Sequence, residues 1–145
     1  RELYVGIGEG AFAPNLSMSR AMLFTVMARL DGADTVGGAT WYSKAMEWTV
    51  DAGISDGSAP ETAITREQLA VMLYRYAGQP AAEGESKTFA DSGDVSAWAG
   101  AAMDWAVKTG ILTGKTGDRL DPAGFASRAE VAAMLMRFVT LENQA

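Results

Sequence analysis

Apolar residues recur three times along this chain at one helical spacing. Counted from Arg20, Arg66 and Arg128, they stand at plus 3, 6, 7 and 10: Leu23, Val26, Met27 and Leu30; Leu69, Met72, Leu73 and Tyr76; Val131, Met134, Leu135 and Phe138. That spacing is one face of an amphipathic helix, and it predicts helices over residues 20–31, 66–77 and 128–141. Each arginine follows a Ser or Thr (Ser19, Thr65, Ser127), has a proline six residues before it (Pro14, Pro60, Pro122) and a second arginine nine after (Arg29, Arg75, Arg137). Ser127 with Glu130 and Thr65 with Gln68 have the spacing of a capping box, while Ser19 has Met22 in the partner's place. A cap of this kind is worth ~1 kcal/mol, so these residues have a structural use whatever else they do.

A second pattern precedes two of these helices. Trp98 is followed at plus 4, 5, 7, 9, 12 and 13 by Ala102, Met103, Trp105, Val107, Gly110 and Ile111, and Trp41 by Ala45, Met46, Trp48, Val50, Gly53 and Ile54. Asp91 and Asp34 each stand seven residues before their tryptophan. Helices are predicted over residues 41–52 and 97–109, capped by Thr40 or a neighbour and by Ser96, and stopped by Gly53 and Gly110. The chain is thus one unit repeated. Residues 1–32 are the second half of a first repeat, without its first helix; 33–79 are a full repeat with a shortened loop; 80–88 are a polar linker; 89–141 are the longest copy. The expected fold is all-α, with Trp48, Trp105 and most methionines in the core.

Composition narrows the chemistry. With 145 residues and 48% hydrophobic content the chain can bury a core. A net charge of −6 argues against nucleic acid or an anionic membrane as partner, because both need a basic field. The chain has no cysteine and no histidine, which removes disulfides, thiolate and imidazole metal sites, and Ser-His-Asp or Cys-His catalysis. Neither a cofactor nor a metal is expected. No apolar run reaches membrane-spanning length and no signal peptide is expected within the sequence; the start at Arg1 is that expected of a processed or trimmed product.

Taken together, Phe89-x-Asp91, Trp98, Gly110-Ile111, a glycine-rich loop with Pro122, and Ser127-Arg128-Ala129-Glu130 resemble the S-layer homology repeat. The resemblance covers nearly the whole chain. It implies an all-helical, pseudo-threefold arrangement of helix-loop-helix repeats, the first lacking its first helix. It also implies non-covalent anchoring to the bacterial cell wall, through grooves that bind a secondary cell-wall polysaccharide commonly carrying pyruvate ketals.

The residues agree with that chemistry. Arg128 is expected at the first position of a capped helix, where free backbone N–H groups and the helix dipole favour an anion, and a guanidinium can hold a carboxylate by two hydrogen bonds. Arg20 and Arg66 hold the same position, and Glu130 is the acid of the motif. Trp98 and Trp41 are candidates to lie against a sugar ring; Gly114 and Gly117, with Gly6 in the place of Gly114, would let a glycan approach the backbone. Asp91 is a further site candidate that also suits fixing the loop through side-chain-to-backbone hydrogen bonds. Arg29, Arg75 and Arg137 read as structural. The second repeat has Ser58 where the others have Phe12 and Leu120, and is expected to depart from a standard groove. Two other classes compete. A carboxylate-pair glycosidase is disfavoured because Asp34 and Asp91 recur with the repeat. An assembly or adhesion module would join copies of the chain in a surface array without binding sugar.

Overall fold

The computed structural model describes residues 17–80, 89–113 and 119–143, and its regular structure is helical. α1 (Arg20–Leu30), α3 (Arg66–Tyr76) and α5 (Arg128–Asn143) start at the three repeated arginines. α2 (Ser43–Asp51) and α4 (Gly100–Lys108) follow the two repeated tryptophans. Both expected capping boxes form. Gln68 N donates to Thr65 Oγ1 (3.2 Å) and Thr65 N to Gln68 Oε1 (3.0 Å). Likewise, Glu130 N donates to Ser127 Oγ (3.1 Å) and Ser127 N to Glu130 Oε1 (2.9 Å). Ser19 caps α1 singly, accepting from Met22 N at 3.1 Å.

The tryptophan helices start later than their pattern predicts. Trp41 and Tyr42 stand ahead of α2, and Ala97–Ala99 form a 3-10 turn ahead of α4. Ser96 is not the cap expected of it. Its N–H and hydroxyl both donate to the Glu67 carboxylate, at 2.9 and 2.7 Å, so the serine ties this turn to α3 instead. α2 and α4 end at residues in the right-handed region followed by Gly53 (φ +74°) and Gly110 (φ +82°), the left-handed conformation that glycine adopts without strain.

Among the described residues the three arginine helices are joined at their starts by a closed ring of backbone hydrogen bonds. Met18 N donates to Ala126 O (3.2 Å), Ala126 N to Ile64 O (3.0 Å) and Ile64 N to Met18 O (2.8 Å). Each of these residues stands two positions before its arginine, and all three side chains are fully buried. Equivalent positions of three repeats thus satisfy one another's backbone groups where water cannot reach them.

The apolar stripes meet below the ring. Leu23, Leu69 and Leu135 are buried, and an aromatic chain runs Trp48, Tyr76, Phe138, Trp105, Tyr74 with ring centroids 5.6 to 6.4 Å apart. Trp105 is buried and Trp48 is half-buried, because Trp48 turns its indole N–H outward to Asp31 (3.2 Å). The same carboxylate accepts from the Tyr76 hydroxyl at 2.8 Å. Burial, and then Asp31, push the Tyr76 phenol up to about 12. α2 packs on α1 and α4 on α3, so each tryptophan helix covers the arginine helix of the preceding copy.

Candidate functional site

Each arginine at a helix start reaches across a repeat boundary. Arg20 Nε donates to the carbonyl of Ser58 (2.9 Å) and Arg66 Nε to that of Leu120 (2.8 Å). Ser58 and Leu120 are equivalent, each eight residues before the next arginine. The loop that presents Leu120 is itself fixed by Asp91, whose two carboxylate oxygens accept Leu120 N (2.7 Å) and Asp121 N (2.8 Å). These bonds, the one from Leu120 first, hold the Asp91 carboxyl below the usual carboxylate range. Asp91 therefore positions the carbonyl that positions Arg66, with both oxygens engaged by backbone.

Beside Arg20 and beside Arg66 lies an open cleft built from two or more copies. The cleft at Arg20, ≈ 400 Å³, is lined by Ser55, Asp56 and Ser58 of the next loop, by Gln68 and Arg75 of α3, and by Trp98. The cleft at Arg66, ≈ 260 Å³, is lined by Leu112 and Thr113 and, on α5, by Glu130, Met134 and Arg137. Position by position they correspond: Arg20 to Arg66, Gln68 to Glu130, Met72 to Met134 and Arg75 to Arg137. Each contains two arginines against one carboxylate, and so favours an anion. The shortened loop of the second copy borders the larger of the two.

The clefts differ in how their arginine is held. Arg66 is 3% exposed and donates to Glu130 Oε2 (2.7 Å) and to Thr113 O (3.3 Å) as well as to Leu120. Arg20 faces Gln68 in the place of Glu130. Its other partners are Ser55 Oγ at 3.1 Å and the exposed Asp56 carboxylate at 3.8 Å. Burial lowers the Arg20 pKa and Asp56 opposes that shift; the guanidinium keeps its charge. Arg20 is thus the more lightly neutralised of the two.

The starts of α1 and α3, equivalent to the start of α5 for which free N–H groups are expected, do not offer such groups. Arg20 N and Ala21 N donate to Thr62 O (2.8 Å) and Pro60 O (2.7 Å); Arg66 N and Glu67 N donate to Gly124 O (2.9 Å) and Pro122 O (3.0 Å). The third N–H of each goes to the capping hydroxyl. At α1 and α3 the loop of the next copy occupies the place an anion would take, and side chains remain to bind one.

Trp98 is 59% exposed and joins Arg20, two copies away from its own position in the chain, rather than Arg128 of its own copy. Trp41 is 52% exposed and stacks edge-on against Tyr42. Arg128 opens α5, half-buried, with Nη2 3.7 Å from Met22 Sδ of α1. Gly6, Gly114 and Gly117 lie outside the described residues. Arg75 and Arg137, read as structural, are cleft residues as well: each Nη1 donates at 3.2 Å to the Ile54 or Ile111 carbonyl at the start of its own loop. Their recurrence nine residues after each first arginine was the available signal. Ser55, Asp56 and Gln68 carried none. Among the described residues no group of three or more acids is placed to hold a metal ion, and no helix is long and apolar enough to cross a membrane.

Residues 88–132 match the family model described as the S-layer homology domain. The chain carries an S-layer homology domain. Similar stretches occur in an amylopullulanase of Thermoanaerobacterium thermosulfurigenes (30% identity over 93% of this chain and 8% of that protein). They occur also in the exoglucanase XynX of Acetivibrio thermocellus (27%, over 99% and 15%) and the surface-layer 125 kDa protein of Lysinibacillus sphaericus (30%, over 95% and 13%). The chain thus spans 8 to 15% of the length of these relatives. What two carbohydrate-active enzymes and a surface-layer protein share with it is the S-layer homology region, a non-catalytic module that anchors proteins at the cell surface.

Proposed function

We propose that this chain anchors the polypeptide it belongs to by binding an anionic secondary cell-wall polysaccharide in the clefts between its repeats. Arg20 and Arg128 grip the acidic group of the sugar, pyruvate ketals being the expected source of that acid. Trp98 forms a wall for a sugar ring beside Arg20, and Trp41 has the same role beside Arg128. Arg66 with Glu130 forms a second, more internally neutralised subsite. Asp91 serves by fixing the loop, and Gly6, Gly114 and Gly117 by leaving the loop backbone open to the glycan. The three copies, 1–32, 33–79 and 89–141, are arranged about the hydrogen-bonded ring as a pseudo-threefold unit, so that equivalent clefts face outward on three sides.

The observation that carries this reading is the cleft at Arg20, where two arginines, one exposed carboxylate and a 59% exposed tryptophan border the same open volume. A hydrogen bond to a charged group contributes about 1.5 to 3 kcal/mol. Two or three of them in one cleft would give about 4 to 8 kcal/mol, millimolar to micromolar affinity. Several clefts on one polymer chain add avidity.

Co-sedimentation with purified wall sacculi tests the reading. The protein should pellet with intact sacculi and remain in solution once the polysaccharide has been extracted. Equal pelleting with extracted wall contradicts glycan anchoring, and pelleting without any wall would favour a surface-array assembly module.

A further inference from the structure

The second residue of the arginine helices differs in one copy. α1 and α5 have Ala21 and Ala129 there, and α3 has Glu67, a buried residue. The turn that meets α3 differs with it. Two residues before Trp98 stands Ser96, where Ala39 stands before Trp41. Glu67 and Ser96 thus hold, between the second and third copies, the positions that Ala21 and Ala39 hold between the first and second. Among the described residues the Glu67 carboxylate bonds to Ser96 alone, taking the backbone N–H on Oε1 and the hydroxyl on Oε2. A buried carboxylate with no cation against it lowers stability relative to alanine, and charge-assisted hydrogen bonds offset only part of that cost. Stability gives no reason for this residue, and positioning does.

We infer that Glu67 is a positioning residue for the cleft at Arg20, fixing through Ser96 where Trp98 stands. The carboxylate holds the Ser96 N–H and hydroxyl, and Ser96 O accepts Ala99 N at 2.9 Å, which closes the 3-10 turn that carries the tryptophan. Ala99 is fully buried, so the backbone is pinned on both sides of Trp98 while the ring stays exposed along the cleft. An exposed ring has little packing of its own to choose its place, and a supporting shell must choose it. Glu67 N also donates to Pro122 O (3.0 Å), so one residue of α3 holds the third copy at two points. Around Trp41, by contrast, the bonds run between Thr40 and Ser43 inside one exposed turn.

The placement of Trp98 can be read without ligand; only its effect on affinity rests on the glycan reading of the cleft. Fluorine NMR of protein labelled with fluorotryptophan gives a resonance for each of the four tryptophans, and Trp98→Phe assigns the one in question. The double variant Glu67→Ala/Ser96→Ala, which gives this joint the residue types of the first, should keep a thermal midpoint within a few degrees of wild type. It should shift and narrow the Trp98 resonance and leave that of the buried Trp105 in place. Glu67→Gln, whose amide can still accept from the Ser96 N–H and donate to its hydroxyl, should keep the Trp98 resonance where wild type has it.

The wall polysaccharide should bind the double alanine variant about fivefold more weakly, part of the loss expected for the whole ring. In a Trp98→Ala background the same two changes should cost nothing further, because they act through that ring. An unmoved Trp98 resonance in the double variant overturns the proposal. So does a shift shared equally by Trp105, or a loss of affinity undiminished in the Trp98→Ala background. Wild-type protein that binds no glycan would overturn the anchoring reading instead, with the resonance still deciding for or against Glu67.

Discussion

Arg66 and Glu130 meet at 2.7 Å across the boundary between two repeats, and Arg20 finds Gln68 where that carboxylate would be. Arg66 is thus paired with a close carboxylate, and Arg20 is the more lightly neutralised. Glu130 does two things at once: Oε1 closes the capping box of α5 and Oε2 takes the guanidinium.

The two arginines should therefore respond differently to truncation. Arg66→Ala leaves a partly buried carboxylate and two carbonyls without their partner. It is expected to cost roughly 3 kcal/mol, the low end for breaking a buried pair because Glu130 is 31% exposed. Arg20→Ala removes hydrogen bonds to Ser58 and Ser55 and should cost about 1 kcal/mol. Urea unfolding of the two variants measures the difference.

Replacing Glu130 by Gln keeps the capping geometry and removes the charge. The cleft at Arg66 then has the residue types of the cleft at Arg20, and binding of an acidic glycan there should strengthen several-fold. Titration of an Arg20→Ala background with the wall polysaccharide, with and without Glu130→Gln, isolates that cleft.

Trp98 is exposed and, among the described residues, packs on no ring, so Trp98→Ala should leave the unfolding midpoint within a few degrees of wild type while weakening glycan binding about tenfold. A change of Trp98 fluorescence on adding glycan, absent from the variant, would place the sugar against it.

Asp91 links pH to stability. Its carboxyl is held below the ordinary value by the backbone N–H groups it accepts, so its contribution is complete above the unfolded value of about 3.9 and is lost as pH falls through the lower, folded one. Wild type should lose stability on acidification in that window. Asp91→Asn should be less stable at pH 7 and show a shallower acid slope.

The helices were legible because their signals are local. A stripe at 3.6-residue period, a Ser or Thr before Arg, and a Gly after each tryptophan helix all act within one or two turns. What was not legible is contact between copies. The Ser58 carbonyl lies 38 residues from Arg20 and that of Leu120 lies 54 from Arg66, and nothing local marks either as a partner. For the same reason Ser96 read as a cap. Its hydroxyl had a better acceptor 29 residues away in Glu67, a carboxylate buried at the same joint. The starts of α1 and α3 were illegible in a related way: their N–H groups are orphans of the helix but not of the molecule, since the next copy's proline-containing loop accepts them. Nothing local told which arginine Trp98 would lie beside; it lines the cleft of Arg20 because each tryptophan helix packs on the arginine helix before it.

In the proposed function an arginine held between two repeats grips an acidic sugar. Calorimetric titration with purified wall polysaccharide, before and after mild acid removal of its ketal carboxylates, tests it most directly, with wild type set beside Arg20→Ala. Removing the carboxylates and removing Arg20 should each weaken binding at least tenfold, and the two losses should not add. Wild-type affinity for the carboxylate-free glycan, or an Arg20→Ala protein that binds the intact glycan as tightly as wild type, would contradict it.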